Sequence, residues 1–319
     1  VAEDDPFADE LNPFGRQPGT AVPGSSPAPA IPQVPTTPQL PPTPGRPPSK
    51  PPVTLPVPFP ESTEPGDPAP RREERPATGP RQDFRLPRDS AAATEPSPAE
   101  ALVAEAEKLD TAGDLAGART KLVEALRLDP KLTIGWLALG VVARRLGDFE
   151  GSVDACSKGI AVDPNVSELY LRRGIAWYHQ GLFGIALEDF EEAAGMGYED
   201  PRPELWRGLT LVELGRPLEA INAYAASIRR DREFTIAYIN RGLAYLSTGE
   251  PRKAEFDFDM AIRQNPRDAR AWFNRGVAQA RQGRFTEAVN SYAEAIKRDP
   301  GMTAARRNRA AAETLAGRR

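Results

Sequence analysis

The side chains able to do covalent or metal chemistry are few: the 319 residues hold one histidine, His179, and one cysteine, Cys156. A general base needs an orienting group within hydrogen-bond reach. His179 sits between Tyr178 and Gln180 with no predictable carboxylate or thiol beside it, so it reads as a surface or groove residue. The usual zinc sets and Ser-His-Asp arrangements fail for want of parts, and a lone cysteine excludes an intrachain disulfide framework. No Gly-rich phosphate loop or paired-carboxylate arrangement rises above chance. No catalytic residue, metal ligand or cofactor is therefore expected. What remains is a ladder of Arg173, Arg207, Arg241 and Arg275, spaced 34 residues apart. It offers either an anion-binding ridge or four stems packed between helices whose guanidinium groups reach acids such as Asp189 or Asp257. The second reading is the simpler one.

The same interval of 34 residues organises everything after residue 98. Glycines recur at Gly113, Gly147, Gly181, Gly215, Gly249 and Gly283. Small residues recur at Ala106, Gly140, Gly174, Gly208, Gly242 and Gly276, and again at Ala118, Ser152, Ala186, Ala220, Ala254 and Ala288. Between them stand larger apolar residues at helical spacing. Leu102, Trp136, Tyr170, Tyr238 and Trp272 fall at the fourth place of their units, and Leu122, Cys156, Phe190, Tyr224, Phe258 and Tyr292 at the twenty-fourth. This spacing predicts two amphipathic helices per unit, each about a dozen residues and roughly 20 Å long. The glycine between them ends the first helix in the left-handed conformation. Units close at Asp129-Pro130, Asp163-Pro164, Asn265-Pro266 and Asp299-Pro300, and the first opens on the capping box Ser97-Pro98-Ala99-Glu100. Cys156, at a place where other units carry a ring, reads as a small buried hydrophobe.

These residues resemble the tetratricopeptide repeat, a 34-residue unit marked by a Trp/Leu/Tyr, Gly/Ala, Tyr/Leu, Ala, Phe/Tyr, Ala, Pro series. The resemblance covers 97–302 in six units: 99–132, 133–166, 167–200, 201–234, 235–268 and 269–302. Residues 303–319 read as a solvated C-terminal capping helix. It implies an all-α fold, a right-handed α-α superhelical solenoid of helical hairpins whose first helices line a concave groove for a protein or peptide. In such repeats the second, fifth, ninth, twelfth and thirteenth places face the groove. Here they supply Leu137, Val141, Leu171, Ile175, Tyr178, Leu205, Leu209, Ile239, Leu243, Phe273 and Val277 as candidate contacts. The stripe is apolar, which suits an amphipathic helix or an extended segment. The Lys and Asn of the relatives that clamp a terminal carboxylate are missing from the fifth and ninth places. The fourth unit departs from the pattern, with Glu204 at the large apolar place and Trp206 two residues later, and a local change of superhelical angle is expected there.

Residues 1–96 are different in kind. Of 35 prolines, 27 precede residue 99. Such a segment has too little apolar material to offset chain entropy, and is expected to be a disordered Pro-rich arm. Residues 18–60 carry 17 prolines and suit extended polyproline II, a spacer. Asp5-Pro6-Phe7 and Asn12-Pro13-Phe14 are similar to docking peptides, so the arm is also a candidate to dock on a second protein. The arm carries 9 basic and 13 acidic residues and the remainder 32 of each, a balance that argues against nucleic acid. No apolar run is long enough to cross a bilayer. An acidic start at Val1 suits export after signal-peptide removal, to a periplasmic or extracellular site, with a cytoplasmic location as the alternative.

The expected function is a non-enzymatic protein-interaction scaffold. The alternative is a regulatory or assembly subunit of an enzyme complex, its groove autoinhibited by its own Pro-rich tail.

Overall fold

The computed structural model describes residues 96–196 and 199–317. The expectations for the arm up to residue 95, and for the last two residues of the C-terminal capping helix, lie outside the described residues. Thirteen helices and no strand occur among those described. The first hairpin is α1 (Pro98–Thr111) with α2 (Leu115–Leu128), and the second α3 (Thr133–Arg145) with α4 (Phe149–Val162). The third pairs α5 (Ser167–His179) with α6 (Phe183–Met196), and the fourth α7 (Arg202–Glu213) with α8 (Pro217–Arg230). The fifth pairs α9 (Thr235–Ser247) with α10 (Pro251–Gln264), and the sixth α11 (Ala269–Arg281) with α12 (Phe285–Arg298). A final helix, α13 (Thr303–Ala316), packs on α12 and α11. Each helix packs on its chain neighbours, so the hairpins stack as an all-α superhelical solenoid.

Local chemistry sets each boundary. The Ser97 hydroxyl accepts from the Glu100 N–H while the Glu100 carboxylate accepts from the Ser97 N–H, the reciprocal capping box expected from the sequence. Asp114 and Asp148 cap α2 and α4 by accepting from Gly117 and Gly151. All six in-register glycines take positive φ, between 72° and 84°, a region that costs a side-chain-bearing residue about 1–2 kcal/mol. Between hairpins, the side chains of Asp129, Asp163, Asn265 and Asp299 each accept the N–H two residues on, turning the chain in its extended conformation.

Packing within a hairpin follows from size complementarity. The rings of Phe190, Tyr224, Phe258 and Tyr292 are buried against Gly174, Gly208, Gly242 and Gly276 on the facing helix. A Cβ on Gly174 would stand 2.7 Å from the Phe190 ring, so only glycine admits this approach. Cys156 fills the corresponding place against Gly140 and is itself buried. Burial pushes its thiol up to about 12, which leaves it protonated at any physiological pH.

The fourth hairpin departs from its neighbours at its start. The period places the start of α7 at residue 201, but the helix begins at Arg202, after Pro201. Glu204 is buried in place of the large apolar residue and its carboxylate accepts from Arg230 at 3.3 Å and pairs with Arg207 at 3.2 Å. Arg230 also donates to the carbonyls of Ala194 and Asp200, at 2.8 and 3.0 Å, and Arg202 bridges Asp200 and Glu168. The boundary between the third and fourth hairpins is thus stitched by guanidinium groups, and the stack continues across it.

Candidate binding surface

Odd-numbered helices touch one another from hairpin to hairpin, α1 with α3 through to α11 with α13, and the even-numbered helices do not approach one another comparably. The layer in mutual contact is the inner side of the curve. It carries the groove candidates, which fall into two groups. Leu137, Val141, Tyr178, Leu243, Phe273 and Val277 are half-buried and keep side-chain surface. Leu171, Ile175, Leu205, Leu209 and Ile239 are 0–2% exposed and belong to one continuous apolar cluster with Phe190, Trp206 and Tyr224. The expected stripe of eleven therefore presents surface at six positions, and the other five form its floor. The physical reason is that these aliphatic chains have apolar neighbours close enough to exclude water altogether.

An aromatic cluster sits at one edge of that floor. His179 stacks on Phe149 with ring centroids 5.1 Å apart, and meets Tyr178 and Trp206 edge-on at 5.9 and 6.2 Å. Trp206 in turn stacks on Phe190 at 5.9 Å. The displaced tryptophan of the fourth hairpin, noted in the sequence only as a departure, thus joins the third hairpin to the fourth on the inner side. Its sequence signal was the two-residue offset from the usual aromatic place. The Tyr178 hydroxyl reaches Glu213 at 3.3 Å. Asn240, which sequence reasoning missed, lies one residue beyond Ile239 and is 1% exposed. Its amide nitrogen donates to the Ile236 carbonyl at 2.9 Å, while its side-chain oxygen has no hydrogen-bond partner among the described residues.

The arginine ladder is structural. Arg173 makes a two-bond fork to Asp189 at 2.8 and 2.9 Å, and Arg241 one to Asp257 at 2.7 and 2.8 Å, each within its own hairpin. Their guanidinium groups also lie over Tyr170 and Tyr238. Arg207 pairs with Glu204, and Arg275 with Asp259 and Ser291. Among the described residues no three His, Cys, Asp or Glu side chains are arranged to hold a metal ion, and no helix is long and apolar enough to cross a membrane.

The profile of one family, the tetratricopeptide repeat, matches residues 103–165, 137–202, 205–259, 239–303 and 280–318. The chain belongs to the tetratricopeptide repeat family. Members of this family mediate protein–protein interactions. Tetratricopeptide repeat folds of known structure superimpose well: the Pseudomonas aeruginosa protein PilF at a TM-score of 0.59 and 18% identity, over 66% of this chain and 96% of that one. PilW, described as a type IV pilus biogenesis factor, gives 0.59 and 15% identity, over 65% and 96%. At these identities the likeness is one of fold. The chain is also 31% identical over 103 residues to a lipoprotein NlpI homolog of Haemophilus influenzae, a stretch that covers 32% of each protein. It spans 11% of the human tetratricopeptide repeat protein 13, at 28% identity over 93 residues.

Proposed function

We propose that this tetratricopeptide repeat array is a non-enzymatic scaffold that holds a peptide or helical segment of another protein along its inner face. The observation that carries this reading is the apolar character of that face. Leu137, Val141, Tyr178, Leu243, Phe273 and Val277 keep side-chain surface, and Tyr178 and Leu243 pack against the dry aliphatic cluster between them. Such a surface rewards an apolar stripe at helical or alternating spacing, and water-exclusion from a few anchors dominates affinity in such docking. Its fifth and ninth places carry no lysine or asparagine that would select a terminal carboxylate.

Partner capture with the full chain tests this. Leu137→Glu, Leu243→Glu and Val277→Glu place charge on half-buried positions, where folding tolerates it better than in the floor. Captured proteins should disappear with the triple variant while its helical circular dichroism is retained. An identical set of captured proteins would remove the inner face as the binding surface.

A further inference from the structure

Of the eleven large apolar side chains that stand exposed among the described residues, five gather along one edge of the stack: Leu146, Leu182, Ile185, Leu214 and Leu218, 38–66% exposed. They surround the turns inside the second, third and fourth hairpins, at the fourteenth, sixteenth, eighteenth and nineteenth places of the repeat. At the same four places the fifth hairpin carries Thr248, Glu250, Arg252 and Lys253, and the sixth Gln282, Arg284, Thr286 and Glu287. The repeat itself therefore does not demand aliphatic residues at this edge, and clustered ones in water mark a surface that another surface covers. Ring contacts join the three turns sideways. Phe149 stacks on His179, and Tyr178 meets Phe183 and Trp206 edge-on, each at 5.3 Å. Carboxylates rim the patch: Ile185, Glu188 and Glu192 follow at i, i+3, i+7 along α6, with Glu191 beside them, and all three acids are exposed and close no ion pair among the described residues.

The opposite sign collects at the far end of the same chain. Residues 167–200 carry 7 acidic and 2 basic side chains, whereas residues 269–319 carry 4 acidic and 11 basic. The last helix, α13, buries Ala305 and Ala312 and leaves Arg307, Ala311 and Leu315, spaced i, i+4, i+8, on one exposed stripe with Arg306 alongside. An aliphatic anchor flanked by guanidinium groups complements an aliphatic patch flanked by carboxylates. We propose that the edge of hairpins two to four is covered by a second copy of this chain, whose α13 lays its exposed stripe across the patch. The two surfaces lie at different places on one chain, so two copies related by a two-fold axis make the contact twice, each α13 on the other's edge. That reciprocity doubles the buried area and closes the assembly as a dimer. Opposite charge steers the encounter, and like charge opposes edge-on-edge pairing. The inner face takes no part in this contact, so each dimer keeps two of them.

Sedimentation of the full chain tests this. The wild type should run as a dimer that dissociates at least tenfold more readily near 1 M salt, where the Debye length is about 3 Å. Two full-length charge reversals alter only exposed positions: Glu188→Arg with Glu192→Arg on the edge, and Arg306→Glu with Arg307→Glu on α13. Each alone should be monomeric with its helical circular dichroism unchanged, because like charges then meet in both contacts. Their equimolar mixture should be dimeric again, since one contact pairs two reversed surfaces and the other two native ones. Leu182→Ser with Leu218→Ser should weaken the dimer at least tenfold. A monomeric wild type would overturn the proposal, as would a dimer indifferent to these changes, a mixture that stays monomeric, or assembly that grows past two copies. None of these substitutions touches the inner-face positions, so the partner-capture reading stands or falls on its own.

Discussion

Tyr224 shows how a single atom can be out of keeping with its place. Its ring is fully buried against Gly208, where the neighbouring hairpins put Phe190 and Phe258, yet its hydroxyl has no partner among the described residues. Burial holds its phenol well above the ordinary value, so the group stays neutral and the cost is that of an unmade hydrogen bond. Tyr224→Phe should therefore leave stability unchanged or raise it by about 1 kcal/mol in urea unfolding; a loss of that size would reveal a hidden partner for the oxygen. Residues of this kind were only partly legible in the sequence. Period alone placed Tyr224, Cys156 and the forks of Arg173 and Arg241, because each depends on a partner at a fixed offset. The stacking of His179 on Phe149 depends on a contact across hairpins and the burial of Asn240 on the packing around it, neither of which a local pattern encodes.

At the scale of helices the sequence was far more explicit, because turns and caps are local chemistry. The six glycines, the Ser97 box and the Asx turns all appear where spacing put them. The late start of α7 is the exception, and it follows from Pro201 together with the buried carboxylate of Glu204, a conflict between local pattern and packing. Two glycines in one hairpin should separate packing from propensity. Gly174→Ala drives a methyl to 2.7 Å from the Phe190 ring and should cost about 1–3 kcal/mol in thermal or urea unfolding. Gly195→Ala, in α6 with open space around it, should gain about 0.5–1 kcal/mol in the same assay. Equal effects would mean that helix–helix contact does not set the small-residue series.

In the whole array, the inner face was legible as a stripe of types but not as a surface. Repeat numbering assigned Leu171, Ile175, Leu205, Leu209 and Ile239 and their half-buried companions to one category, whereas burial depends on what lies above each, which the period does not carry. The third–fourth boundary is the other non-periodic feature. Arg230→Ala should leave Glu204 with Arg207 alone and two carbonyls without their donor and cost about 1–3 kcal/mol in urea unfolding, while Glu204→Leu combined with Arg230→Leu should recover part of it. Failure of the double variant to recover would show that the carbonyl contacts, and not the carboxylate, hold that boundary.

The two forks, Arg173 to Asp189 and Arg241 to Asp257, each close inside one hairpin and so travel with it. Gene-level duplication or excision of the fifth hairpin carries its fork along intact. A cut between the third and fourth severs Arg202 from Glu168 and Arg230 from the Ala194 carbonyl, so lineages of such arrays should change in length elsewhere and keep that pair together.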